Sequence, residues 1–287
     1  MAGGAVVTWW CSATGRPWSW TPIAYPGIWL AMATLVLLYL RSWRRLERDG
    51  ALASDDGRRR WAFGAGVVAL WIATDWPIGS LGSGYLASVH MVQFQLYTLA
   101  AAPLLLVGLP PAMLDRLLGA LRLDRLAPRV ARPLVAGITF NLLLLFSHSP
   151  FVVDRARTNQ VGSFALDVVW LVAGMILWLP VLGPKGTFRH PSPAVRCLYL
   201  FLAMGVVPMI PGAILTFSEL PLYSVYELAP RVGSIDVAAD QQVAGLIMKV
   251  GNLPFLWAAI AATFFTWAAR DRRSSTPPPL GGPATAA

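Results

Sequence analysis

Seven apolar stretches, each long enough to cross a bilayer as a helix, constrain this 287-residue chain more than any other feature: residues 23–40, 61–79, 85–109, 133–153, 161–182, 194–217 and 241–269. A run of about 20 apolar residues spans the hydrocarbon as a helix, and only helices and closed barrels leave no backbone N–H or C=O bare there. The expected fold is therefore all-α, a polytopic membrane helical bundle of seven transmembrane helices. Composition agrees, with 56% of residues apolar and 13% charged, where charged residues in soluble proteins approach about a quarter. This balance excludes a disordered chain and a collagen. The two cysteines, Cys11 and Cys197, form neither a metal motif nor a disulfide framework. The seventh stretch is longer than needed and contains Pro254, so it is expected to tilt or kink.

The net charge of +9 would suit nucleic acid, but the positions of the charges exclude that. Of the 23 lysines and arginines, 18 lie in residues 41–60, 110–132, 183–196 and the tail after 269, while four lie in the alternate connections. Cytoplasmic loops retain positive charge, so the N-terminus is expected outside and the C-terminus in the cytoplasm, with the basic face on anionic lipid. Residues 1–22, with Trp9, Trp10, Trp18 and Trp20 and no basic start, read as an extracytoplasmic interfacial leader rather than a signal peptide. Residues 23–270 form the membrane domain. Residues 271–287, rich in Ser, Thr, Pro and Gly, are expected to be a disordered cytoplasmic tail.

Ionisable and ligand-type side chains inside spans carry the functional information, because a charge at the membrane centre costs roughly 2.5–3.5 kcal/mol on insertion scales. At a rise of 1.5 Å per residue, Asp75, His90, His148, Asp167, Met248 and Lys249 fall between roughly 6 and 12 Å below the outer boundary. Five helices thus place polar groups at one depth, and the inner halves hold almost none. His90, Gln93, Phe94 and Tyr97 make one helical stripe. Gln241, Gly245, Met248 and Asn252 make another, with Asp240 just before it as an N-cap candidate. Two imidazoles and the Met248 thioether suit a soft ion, copper(I) above all. The alternative is that both histidines are neutral interhelical hydrogen-bonding residues. Asp75 and Asp167 are expected to neutralise Lys249 inside the bundle. His190 is expected to be solvated, and residues 218–240 are long enough to cover the polar cluster, although an ordinary connector is the default expectation.

The segments HMVQFQLYTLAAAPLLLVGLPP (90–111), FSHSPFVVD (146–154), PLYSVYELAPR (221–231) and DQQVAGLIMK (240–249), in this order and on these spans, resemble the multi-spanning cytochrome c oxidase assembly factor CtaG family. The similarity runs from about Trp20 to Arg270. It implies a multi-pass protein of the bacterial plasma membrane that helps mature a haem-copper oxidase at copper insertion. Oxidase subunits or other copper assembly proteins would be the partners and copper the suspected cofactor. The cysteine motif of the single-span copper chaperone of the same name is absent. Carried over by position, the family's polar residues are His90, Met91, Gln93, His148, Asp240, Gln241 and Met248. Phe94 stands where many relatives carry His or Met, which removes one ligand.

The expected function is thus a non-catalytic assembly factor that handles copper or positions an oxidase subunit at an outer-leaflet polar site. A retinal protein is the alternative on physical grounds, since a lysine on the last of seven helices, Lys249, is what a Schiff base requires. The third span offers no carboxylate counter-ion for it. A copper permease would need ligands continued through the inner leaflet. No nucleophile, base and orienting group recur at readable spacing, so no enzyme is expected.

Overall fold

A computed structural model describes residues 8–53, 56–184 and 186–275, with side chains to residue 272. Among the described residues there are helices and no strand: α1 (Pro26–Arg48), α2 (Gly57–Thr74), α3 (Ile78–Gly84), α4 (Ala87–Gln95), α5 (Ala102–Gly108), α6 (Pro111–Ala120), α7 (Ala127–Val130), α8 (Pro133–Ser147), α9 (Pro150–Arg157), α10 (Gln160–Leu182), α11 (Pro193–Leu200), α12 (Met209–Phe217), α13 (Ser224–Glu227), α14 (Val237–Val250) and α15 (Leu253–Ser275). Five continuous helical stretches are long and apolar enough to cross a membrane, and the number is seven if two bent pairs each count as one span. Those pairs are α2 with α3, bent by 45°, and α8 with α9, bent by 65°.

Prolines mark the irregularities. Residues preceding Pro77 and Pro150 cannot easily stay helical, and α2 and α8 end just before them. Within the third span, Leu96–Ala101 widens into a π-helical stretch ahead of Pro103, and within Pro193–Phe217 the residues Phe201–Val206 do so ahead of Pro208. A proline ring displaces the preceding turn and frees carbonyls. Side chains from neighbouring helices take up those carbonyls: Trp178 donates to the Thr98 oxygen at 2.9 Å, and the Asn252 amide donates to that of Met204. Asn252 lies at the Gly251–Asn252 break between α14 and α15, two residues before Pro254.

The third span is the axis, with α2, α10 and α14 packed on it. Close approach rests on small residues. A side chain at Gly174 on α10 would start 2.7 Å from the Thr98 Cα and 2.8 Å from the Ala102 Cβ.

Three expectations need correction. The leader is not merely interfacial: Trp10 and Cys11 are buried in the core, because the chain threads between α1 and α10 and finds backbone partners there. Residues 1–7 lie outside the described residues. Asp240 does not cap its own helix; Asp236 does, accepting from the Ala239 N–H at 3.0 Å, which starts the helix at Val237. The expected tail begins inside α15, which runs to Ser275, and residues 276–287 lie outside the described residues.

Gly174→Val should lower stability by roughly 1–3 kcal/mol through overpacking. Gly64→Ala, at a position with nothing within 4 Å of a new Cβ, should leave stability unchanged or slightly raised. Thermal unfolding of the two variants in detergent compares them.

Candidate functional site

The site is built on α10. Asp167 and Trp170 lie one turn apart, both buried. The α9 helix ends by delivering Arg157 to them: its guanidinium lies 3.0 Å from the Asp167 carboxylate and 4.8 Å from the centre of the Trp170 ring, with no solvent exposure at all. A charge so buried needs a partner. Asp167 is held in turn by the Trp10 indole N–H at 2.9 Å, and Arg157 donates to the Gln93 Oε1 at 3.3 Å. Backbone contacts fix the leader beside this pair. The Gln160 side-chain oxygen accepts from the Trp9 and Trp10 N–H groups at 2.7 and 3.2 Å, and the Ala13 N–H donates to the Arg157 carbonyl at 2.8 Å.

Trp170 is also the platform for both histidines. The His148 ring stacks on it at 5.6 Å and 17°, and the His90 ring meets it edge-on at 4.7 Å. The two imidazole centroids are 5.7 Å apart. His148 occupies the corner where α8 stops, and its Nδ1 is 2.9 Å from the Leu144 carbonyl. The Nδ1 of His90 is 2.7 Å from the Tyr226 hydroxyl and 3.2 Å from the Gly82 carbonyl. In both rings Nε2 is buried and has no hydrogen-bond partner among the described residues. A carbonyl at Nδ1 calls for the proton on that nitrogen, which leaves the Nε2 lone pair of His148 free to accept.

The segment after α12 closes over this pair. Tyr226 of α13 donates to the Gly82 carbonyl at 2.6 Å, Tyr223 donates to the His148 carbonyl at 2.8 Å, and the Val225 N–H reaches Asp154 at 3.0 Å. Burial pushes both phenols far above the usual tyrosine range, so they remain donors at physiological pH. Gln241 holds the approach to α13, accepting from the Leu222 N–H at 2.7 Å and donating to the Leu220 carbonyl at 3.1 Å. Asp240 caps a neighbouring helix instead of its own: it accepts from the Ala87 N–H at 2.6 Å and from the Ser88 hydroxyl. It thereby satisfies the first turn of α4, which carries His90. Gly82 allows α3 to lie against that turn, since a Cβ there would be 2.8 Å from the Gln93 Oε1.

Of the residues expected at one depth, His90, His148 and Asp167 come together, joined by Gln93 of the helical stripe, and Asp240 and Gln241 hold the frame. The others stand apart. Asp75 accepts from the indoles of Trp29 and Trp71 at 2.8 and 2.6 Å, so its partners are at the rim. Met248 lines a small cavity with Phe94, Leu144 and Met204 that neither histidine lines. Lys249 makes no ion pair with Asp75 or Asp167, whose partners are indoles and Arg157; its ammonium lies 5.6 Å from the ring of Phe217, itself three-quarters exposed. Such a lysine faces the periphery, whereas a Schiff base to a buried chromophore needs one facing inward. His190 is not simply solvated, since its Nε2 is 2.7 Å from the Gly183 carbonyl. Among the described residues no three His, Cys, Asp or Glu side chains are grouped to hold a metal ion.

Arg157, Trp10, Tyr223 and Tyr226 were not anticipated as site residues. One signal pointed to the first: Asp167, alone within an apolar run, required a cation, and Arg157 lies ten residues before it.

Arg157→Gln or Asp167→Asn alone should cost roughly 3–5 kcal/mol, because each strands a buried charge. The double variant should recover much of that loss, giving a large coupling energy. Chemical unfolding in detergent measures both.

No curated protein and no solved structure is detectably similar to this chain. A family model does match, the cytochrome c oxidase caa3 assembly factor, over residues 37–270. With most of its length and both histidines inside that match, the chain belongs to the cytochrome c oxidase caa3 assembly factor (CtaG) family.

Proposed function

We propose that this protein is a non-catalytic assembly factor of the bacterial plasma membrane that carries copper(I) as cargo for a haem-copper oxidase, held by His90 and His148. The observation that carries the reading is the pair of buried imidazoles, 5.7 Å apart, each with an unpartnered Nε2. Unpartnered buried nitrogens are costly, and a soft cation that accepts two imidazoles relieves both at once. A hydrogen bond at each Nδ1 is the outer contact that orients metal-binding histidines. Met248 is not assigned as a ligand, because its thioether opens into another cavity. The apolar burial of Leu99, Leu105 and Leu177 beyond Phe94 continues no path of ligands and speaks against a permease.

The chain's own residues supply the environment. Trp170 fixes the plane of one ring and the edge of the other, and Tyr226 orients His90. Asp240 sets the start of the helix that bears it. Oxidase subunits or other copper assembly proteins would meet the α13 side, where the covering segment carries the exposed Leu220 and Leu228.

Purified protein loaded with copper(I) should retain it at up to one ion per chain. The His90→Ala/His148→Ala variant should retain none while unfolding at a similar temperature. In cells, either single variant should lower oxidase activity severalfold at unchanged membrane level, whereas Met248→Leu should leave it near normal. Equal copper retention by wild type and double variant would overturn the reading.

A further inference from the structure

At the opposite end of the bundle from the histidines, where α1 finishes, α1, α2 and α6 enclose a trough of about 420 Å3. Its walls include Leu35, Phe63, Met113 and Leu117, and Ser42, Arg45 and Arg116 also line it. The floor is rigid: Tyr39 stacks on Phe63 at 3.7 Å and 9°, and its hydroxyl donates to the Gly108 carbonyl at 3.1 Å. Arg116 pairs with Asp49 at 2.8 Å in an exposed contact, which solvent weakens. Arg45 has no ion-pair partner among the described residues. Around them, the last turns of α1 add Arg41, Arg44 and Arg48 against the carboxylates of Glu47 and Asp49, and α6 adds Asp115.

We propose that this trough binds one anionic phospholipid, its phosphate between Arg45 and Arg116 and one acyl chain along Leu35, Phe63, Met113 and Leu117. An apolar channel that opens onto two guanidiniums and a hydroxyl is complementary to a molecule that is apolar at one end and phosphorylated at the other. Guanidinium forks match phosphate oxygens, and basic pockets between membrane helices take anionic head groups. A zwitterionic lipid would bring its own cation to the same two arginines. The trough also adjoins Leu109, at the foot of the span that carries His90, so its occupant braces that helix.

The test uses the full-length protein in detergent, titrated with dioleoylphosphatidylglycerol, dioleoylphosphatidylcholine or sn-glycerol 3-phosphate, with adducts counted by native mass spectrometry and stability followed by thermal unfolding. Phosphatidylglycerol should be retained at one per chain, at least fivefold better than phosphatidylcholine, and should raise the unfolding temperature by several degrees. Arg45→Gln/Arg116→Gln should lose that preference. Asp49→Asn, a surface change that releases Arg116, should strengthen retention, and it decides the matter if the double variant does not fold. Equal retention of the two lipids, an unchanged adduct in the double variant, or no gain with Asp49→Asn overturns the proposal. Equal protection by glycerol phosphate assigns the arginines to a soluble phosphate and overturns it as well.

Discussion

A single buried ion pair, Arg157 with Asp167, organises the end of this bundle that holds the histidines. Taking both charges out of water is costly, and their attraction offsets that cost only if the remaining donors and acceptors are also served. The surroundings serve them in part: Trp10 and Gln93 hydrogen-bond the pair and Trp170 offers its ring face to the cation, while the Arg157 Nε has no hydrogen-bond partner among the described residues. Because the fully buried guanidinium sits at the end of α9, the pair dictates how sharply the chain turns after His148 and where α10 begins. The stack of His148 on Trp170 and the edge contact of His90 follow from that placement. Such a pair adds less to total stability than to uniqueness, since a shift of α9 by one residue would strand two charges.

The two ends of the molecule solve opposite problems with the same residue type. Arg157 is excluded from water and committed to one carboxylate, whereas Arg45 and Arg116 reach out from an apolar trough and keep their heads accessible. A guanidinium suits both settings because it is weakly hydrated for a cation and presents its donors in a plane. Closure differs as well. Around the histidines, α13 on one side and the leader on the other are already in contact with the helices, so an ion reaching Nε2 must displace hydrogen bonds such as those of Tyr223 and Gln241.

Much of this was legible in the sequence because the membrane imposes a simple rule. Apolar length gave the helices, the stripe of His90, Gln93, Phe94 and Tyr97 gave a buried face, and equal depth brought His90 near His148. What escaped depends on direction rather than depth. A helix break such as that before Pro150 re-aims everything after it, so Arg157, counted with an outer loop, returned to the interior. Lys249 and Asp75 share the level of the histidines but point outward, and Met248 opens on the far side of Phe94. Asp240 had the chemistry of a cap, but its target is the neighbouring α4, a choice made by tertiary packing that no local pattern records. The π-helical stretches follow from Pro103 and Pro208 only once the partners of the displaced carbonyls, Trp178 and Asn252, are known.

The contact between Trp10 and Asp167 spans 157 positions of sequence. The Trp10 indole therefore has this partner only once α10 is in place. The neighbouring Cys11 thiol donates instead to the Thr74 carbonyl at the end of α2 at 3.3 Å. Two adjacent residues of the leader thus tie together α2 and α10, helices far apart in the sequence, as a clasp closes two ends of a band.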